Sequence, residues 1–72
     1  MRDLELLSVV ALLEDHADLG LLRGQVGTIV DRLAPGVYEV DFCDDNGVSY
    51  ASTALRSNEL LQLHHQPGHL AA

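Results

Sequence analysis

The sequence contains no lysine and no tryptophan, and its basic residues are four arginines set against 11 acidic residues. The formal net charge is −7, and the chain stays acidic even with all four histidines protonated. Because proteins bind phosphate backbones through lysine and arginine with release of counterions, this balance argues against nucleic acid as the partner. The acidity is compatible with a basic protein partner, whose approach it would accelerate, and also with a merely solvated surface.

Cysteine is equally scarce, since Cys43 is the only one. A single cysteine cannot form an internal disulfide, so the sequence does not predict a disulfide-stapled secreted scaffold, and a cytoplasmic location is expected. A signal peptide is not expected either, because Asp3, Glu5 and Glu14 interrupt the apolar N-terminal region. No apolar run approaches the roughly 18 to 20 residues that a membrane-spanning helix needs.

The 72 residues, 47% of them hydrophobic, limit the chain to one domain with a small core and no room for a large cleft. We predict a single domain over residues 1–63, followed by a flexible, histidine-containing tail over residues 64–72, which has no apolar periodicity and includes Pro67-Gly68.

The first apolar segment is ambiguous, because Leu6, Val9, Val10 and Leu13 would share one helix face whereas Val9–Leu13 also suits a buried strand. Its shortness and the polar residues that follow favour a strand, preceded by a helical turn or an irregular lead-in over residues 3–8.

Three further strands follow in a meander. Residues 25–33 end at the turn Pro35-Gly36, which suits a type II turn. Residues 37–43 alternate strictly, with Tyr38, Val40 and Phe42 on one face, and an Asn46-Gly47 hairpin turn leads into residues 48–55. In the first of these strands, a bulge near Gly27 is expected to bring both Val26 and Ile29 into the core.

A meander needs cover for its apolar face and its edges, and Val9–Leu13 and Leu60–Leu63 are the available segments. Residues 56–59 read as a single helical turn with Ser57 as its cap. The predicted fold is all-β: a small five-stranded SH3-like barrel with a short helical turn before the last strand.

Two resemblances rest on these segments. The run Leu22-Arg23-Gly24-Gln25-Val26-Gly27-Thr28-Ile29-Val30 resembles the KOW-like strand of SH3-like barrels. More narrowly, this run resembles a bacterial family called domain of unknown function 4926, together with the stretches 9–15, 20–21, 38–42, Leu55 and 60–63. The resemblance implies a small bacterial cytoplasmic protein without assigned activity, and the family has no catalytic residue to carry over.

Two groups of residues could bind metal ions. His64, His65 and His69 are close in sequence, but a flexible tail does not preorganise ligands, so incidental metal binding is expected rather than a functional site. Asp44 and Asn46 superficially resemble a calcium loop, yet the later bidentate glutamate is missing and a hairpin turn is the better interpretation. No cofactor is predicted.

No enzymatic activity is predicted. Cys43 is followed by Asp44 and Asp45, whose charges should raise the pKa of its thiol, so we interpret it as a half-buried structural residue. Glu39 and Asp41 share an exposed strand face without a pocket, which does not suit a hydrolytic pair. Arg32 is expected to pair with neighbouring carboxylates, Asp31, Glu39 or Asp41.

The remaining hypothesis is a small non-enzymatic protein-interaction module that uses an exposed strand edge or an acidic face and exists as a monomer or homodimer. A neutralising partner of a toxin-like protein is one specific form, and a nucleic-acid- or ribosome-associated KOW-like barrel is the alternative, by fold analogy alone. The predicted partner-binding residues are the acidic side chains of the loops and of one strand: Glu14, Asp15, Asp18, Asp41, Asp44 and Asp45.

Overall fold

The computed structural model describes residues 4–64, which form one antiparallel sheet of five strands in the order β4-β3-β2-β1-β5. The strands are β1 (Val9–Leu12), β2 (Val26–Ala34), β3 (Val37–Cys43), β4 (Ser49–Arg56) and β5 (Leu60–Gln62). A 3₁₀ helix over Ser57–Glu59 precedes β5, and a second one over Ala17–Leu19 lies between β1 and β2. The predicted all-β fold, with five strands and a short helical turn before the last strand, is confirmed. No helix in residues 4–64 is long and apolar enough to cross a membrane.

The first strand, β1, lies between β2 and β5 in the sheet. Val10 pairs with Gly27 on β2 and with Gln62 on β5, so the strand prediction for residues 9–13 is confirmed to within one residue. The residues before it, from Leu4 onward, form no helix; Leu6 and Leu7 make a turn, with Leu7 at a positive φ of 68°. The lead-in is therefore irregular, which was one of the two predicted possibilities.

The second strand corrects the prediction of a bulge at Gly27. Pairing runs without a shift from Val26 to Ile29, so Gly27 and Ile29 face the core whereas Val26 points outward and is 46% exposed. The register shifts lie further along β2, on either side of Asp31-Arg32. Gly27 is needed for another reason: a Cβ atom there would lie 2.7 Å from Val40 Cγ1 and 3.0 Å from Phe42 Cδ1. The glycine leaves room for the side chains of Val40 and Phe42 from the neighbouring strand.

Both predicted hairpin turns are present. Ala34 pairs with Val37, and Gly36 has a φ of 73°, as a type II turn requires. In the β3–β4 turn only Gly47 takes a positive φ, of 79°. A two-residue Asn-Gly turn would need a positive φ at Asn46 as well, so the loop has three residues instead. Its closing bonds run from Gly47 N to Asp44 O and from Asp44 N to Val48 O. This is the pattern of a type I turn followed by one left-handed residue.

The core lies on one face of the sheet. Tyr38, Val40 and Phe42 are fully buried, as their alternation predicted. They pack with apolar side chains from every other strand and from the β1–β2 loop: Val10, Leu12, Leu21, Ile29, Leu55 and Leu60. The hydroxyl of Tyr38 accepts a hydrogen bond from Leu4 N at 2.9 Å, which ties the lead-in to the core. Leu21 was not predicted as a core residue, because it lies outside the predicted strands, between residues 13 and 25.

The segment before β5 is a one-turn helix, as predicted, but its cap differs. Arg56 is the residue at the cap position, and Ser57 is the first residue of the turn. The backbone N–H of Arg56 donates to Glu59 Oε1 at 2.8 Å, so the glutamate side chain satisfies an amide that the turn itself leaves open.

Candidate functional site

Carboxylates concentrate on the outer face of β2 and β3, the sheet face that points away from the core. Because Tyr38, Val40 and Phe42 point inward, Glu39 and Asp41 must point outward, where both are half-buried. Asp31 on β2 pairs directly with Glu39. We call Asp31, Glu39 and Asp41 the acidic face. Asp31 Oδ1 accepts a hydrogen bond from Arg32 N at 2.8 Å, which leaves the carboxylate charged. Like charges at directly paired positions of a sheet repel each other.

Two serine hydroxyls from β4 bind the carboxylates of the acidic face. Ser52 Oγ donates to Glu39 Oε2 at 2.6 Å, and Ser49 Oγ donates to Asp41 Oδ1. Hydroxyl groups satisfy part of the hydrogen-bonding capacity of a carboxylate but leave its charge uncompensated. The acidic face therefore retains its ability to attract a cation.

Cys43 lies at the end of β3, next to the acidic face. It is exposed rather than half-buried, which corrects the sequence prediction. Its thiol donates to Asp41 Oδ2 at 3.5 Å. Local desolvation, this hydrogen bond and the charges of Asp41 and Asp44 raise the pKa of Cys43. The predicted direction is confirmed, although Asp41 contributes and Asp45 does not. A raised pKa keeps the thiol protonated, which disfavours a nucleophilic role.

The β3–β4 turn adds Asp44 and Asp45 beside the acidic face. Asp44 Oδ1 accepts hydrogen bonds from Asn46 N at 2.9 Å and Val48 N at 3.0 Å, so this carboxylate shapes the turn. The hairpin interpretation of Asp44 is thus confirmed. Asp45 is exposed and makes no hydrogen bond or ion pair with another residue of the range 4–64.

The other predicted partner-binding residues lie in the β1–β2 loop. Asp15 Oδ1 accepts from Arg23 N at 2.8 Å and holds the loop together. Glu14 and Asp18 are exposed and form no hydrogen bond or ion pair within the described part of the chain. The loop is anchored by His16, whose buried Nε2 lies 3.1 Å from Glu59 Oε2 without an aligned hydrogen bond.

The six predicted partner-binding residues therefore form two separate groups rather than one continuous surface. Asp41, Asp44 and Asp45 cluster at the end of β3, whereas Glu14, Asp15 and Asp18 lie in the loop. A hydrogen bond of 3.1 Å from Gln25 Nε2 to the Tyr50 hydroxyl connects the end of that loop to the start of β4.

Two members of the acidic face, Asp31 and Glu39, were not among the predicted partner-binding residues. The alternation of residues 37–43 already placed Glu39 beside Asp41 on the outer face. Asp31 could not be placed from the sequence, because its pairing with Glu39 depends on the register shift after Ile29.

Comparison with known protein families identifies the family of this chain. The family model described as Domain of unknown function (DUF4926) matches residues 6–62, which include all five strands. The chain belongs to this family. No curated protein and no solved structure matches the chain.

In this DUF4926 chain, the outer face changes character from β2 toward β5. Leu61 on β5 and Val26 on β2 flank Ala11 on β1 in one cross-strand row, and Leu61 is 52% exposed. The outer face is thus acidic on β3 and at Asp31 of β2, and apolar at the start of β2 and on β1 and β5.

Most of the predicted histidine metal-binding group lies outside the described part of this DUF4926 chain. His64 is exposed just after β5, whereas the other two members of the predicted metal-binding group, His65 and His69, lie outside the described residues, as does the remainder of the predicted tail. Residues 4–64 contain no group of three or more His, Cys, Asp or Glu side chains arranged to hold a metal ion.

Proposed function

We propose that this protein is a small non-enzymatic interaction module that binds a basic protein through the acidic face and the adjoining β3–β4 turn. The observation that carries the proposal is the direct pairing of Asp31 with Glu39. Two carboxylates at paired positions destabilise the free sheet, and a cationic partner would relieve that repulsion on binding. The exposed Asp45 extends the same negative surface into the turn.

The distribution of the arginines supports a protein partner over a nucleic acid. In the described residues Arg23 lies in the β1–β2 loop, Arg32 on β2 and Arg56 at the end of β4. They do not form the continuous basic stripe that follows a phosphate backbone. The raised pKa of Cys43 and the engagement of Glu39 and Asp41 by serine hydroxyls support a role in binding rather than in catalysis. We place the protein in the cytoplasm, where a lone thiol stays reduced.

Affinity capture from the native host tests the proposal, using the full chain and two charge-matched variants. Glu39→Gln/Asp41→Asn neutralises two carboxylates of the acidic face, and Glu14→Gln/Asp18→Asn neutralises two exposed loop carboxylates. We expect the wild type and the loop variant to retain a stoichiometric basic protein that high salt releases, and the first variant to lose it. Loss with the loop variant alone would move the contact to the β1–β2 loop. Repeated recovery of the wild type without a partner would refute the proposal.

Two further tests would narrow the class of partner. A gel-shift titration at low salt should show no nucleic-acid complex at roughly micromolar protein, and a shift would favour the KOW-like alternative instead. The adjacent genes should be inspected for a basic, toxin-like protein, since a toxin-neutralising role predicts that the two are encoded together.

A further inference from the structure

The strand β4 has a free edge of unusual length for a small sheet. It is eight residues long and, within residues 4–64, pairs only with β3, whereas the other edge strand, β5, has three residues. Natural edge strands are commonly protected by proline, by charged side chains or by being short. β4 contains no proline, and its only charged residue is Arg56 at its last position. Alternate residues of β4 therefore present free backbone N–H and C=O groups to an incoming strand.

The outer face of β4 carries mainly small side chains, which protrude little from the sheet. Ser49, Ser52 and Ala54 are exposed, and they lie between the free edge and the carboxylates of β3. Asp41 pairs with Ser52, and Glu39 pairs with Ala54. A strand added beside β4 would be about 10 Å from β3, since neighbouring strands are roughly 4.8 Å apart. Arginine or lysine side chains on that strand could extend over the small residues and reach Glu39 and Asp41.

We propose that β4 accepts an extended basic segment of another protein as a sixth strand, with alternate arginine or lysine side chains placed over Glu39 and Asp41. The inference rests on the proposed function and specifies how the basic partner binds. Backbone hydrogen bonds to the free edge supply part of the affinity, and the alternate cationic side chains select the sequence. The hydroxyls of Ser49 and Ser52 stay beside the carboxylates as additional acceptors for the incoming cations.

A second copy of this chain fits the edge less well than a basic segment. Each chain has a net charge of −7, and β4-to-β4 pairing would bring two acidic faces onto one continuous sheet. The self-repulsion of the two copies opposes that pairing at physiological salt. Complementary charge thus favours a cationic occupant.

Peptide binding to the full-length protein provides the test. The probe is a fluorescein-labelled peptide, Arg-Val-Arg-Thr-Arg-Val-Arg-Thr, measured by fluorescence anisotropy, and its control has glutamate in place of every arginine. Two further versions carry N-methyl groups on the odd or on the even residues, which keep the charge but remove alternate backbone donors. We expect the arginine peptide to bind and the glutamate peptide not to bind. One of the two methylated versions should bind about tenfold more weakly and the other nearly as well as the parent, because only one set of amides faces β4.

A matched pair of variants locates the binding edge. Ala54→Lys places a cation on the outer face of β4, opposite Glu39, whereas Leu61→Lys makes the same addition on the other edge strand. We expect Ala54→Lys to weaken binding of the arginine peptide about tenfold and Leu61→Lys to change it by less than about twofold. Circular dichroism establishes that both variants are folded, and the methylated peptides test the inference on the wild type if either is not.

The possible outcomes separate this inference from the proposed function. If both methylated peptides bind as well as the parent, or if Leu61→Lys alone weakens binding, strand addition at β4 is wrong while binding of basic partners stands. If the arginine peptide does not bind but a basic protein is captured through the acidic face, strand addition is again wrong. If neither binds, both proposals fail. A dimer by sedimentation that Ala54→Lys disrupts would assign the edge to a second copy and overturn the inference.

Discussion

At the scale of single residues, Gly27 shows how one missing side chain determines a strand path. Its hydrogen atoms occupy the space where a Cβ would press against Val40 Cγ1, the Asp41 carbonyl oxygen and Phe42 Cδ1, at distances of 2.7 to 3.0 Å. These neighbours belong to the centre of β3 and to the core, so they have little freedom to move aside. The close approach of Val40 and Phe42 to β2 therefore depends on glycine at this position.

We expect Gly27→Ala to lower the free energy of unfolding by about 1 to 3 kcal/mol, the usual cost of inserting a methyl group into a packed interior. Urea denaturation followed by circular dichroism measures the loss. The control is Val26→Ala on the adjacent outward-facing position, which should cost less than Gly27→Ala because Val26 is 46% exposed. Equal losses for the two variants would contradict the close-approach explanation.

The Gly27 region also shows where reasoning from sequence fails. The spacing of Val26 and Ile29 suggested that both are buried through a bulge, whereas the strand is regular there and only Ile29 is buried. A strand that shows several consecutive β-branched residues has no alternation from which to read its inward face. The close contact that requires glycine comes from β3, and a tertiary contact leaves no local pattern in the sequence of β2.

At the scale of elements, the β3–β4 hairpin contains both the clearest sequence signal and the centre of the candidate site. The alternation of residues 37–43 predicted the buried face of β3 correctly, and the same alternation placed Glu39 and Asp41 outside. The turn residues predicted a hairpin, but its loop length is determined by how Asp44 bonds across the turn, which a dipeptide signal does not specify. The site is thus predictable where it lies on one strand and not where it depends on register.

We expect Asp44→Ala to lower the free energy of unfolding by about 1 kcal/mol, since it leaves the amides of Asn46 and Val48 without their acceptor. Asp44→Asn keeps an acceptor oxygen and should cost less. Thermal unfolding followed by circular dichroism compares the two variants, with Asp45→Ala as the control that should change stability by less than about 0.5 kcal/mol. A loss with Asp44→Asn as large as that with Asp44→Ala would mean that the charge of Asp44 matters more than its hydrogen bonds.

At the scale of the whole molecule, the imbalance of charge acts on stability as well as on binding. Eleven acidic residues and four arginines occupy a chain of 72 residues, and three of the acidic residues lie together on the acidic face. Net charge far from zero keeps a protein soluble but destabilises its compact form through self-repulsion. The free protein is therefore less stable than its core alone would make it.

We expect the thermal midpoint to rise by several degrees when sodium chloride is increased about tenfold from low ionic strength, because salt screens the repulsion among carboxylates. Differential scanning fluorimetry measures the shift. The thermal midpoint of Glu39→Gln/Asp41→Asn should rise less with salt than that of Glu14→Gln/Asp18→Asn. The first variant has lost the two carboxylates that lie closest to other acidic groups. A midpoint that salt does not raise would indicate that ion pairs compensate the charge.

The position of β1 in the sheet has a consequence for how the chain folds. Leu12 near the start of the described chain pairs with Leu60 near its end. β5 is the second neighbour of β1 in the sheet, beside β2. The hairpins of β2, β3 and β4 close between residues that are near in sequence, whereas the β1–β5 pairing must bring distant segments together. Contacts of large sequence separation form slowly, because the chain pays the entropy of loop closure before it gains the contact. We therefore expect the meander of β2, β3 and β4 to form first and the pairing of β1 with β5 to complete the sheet.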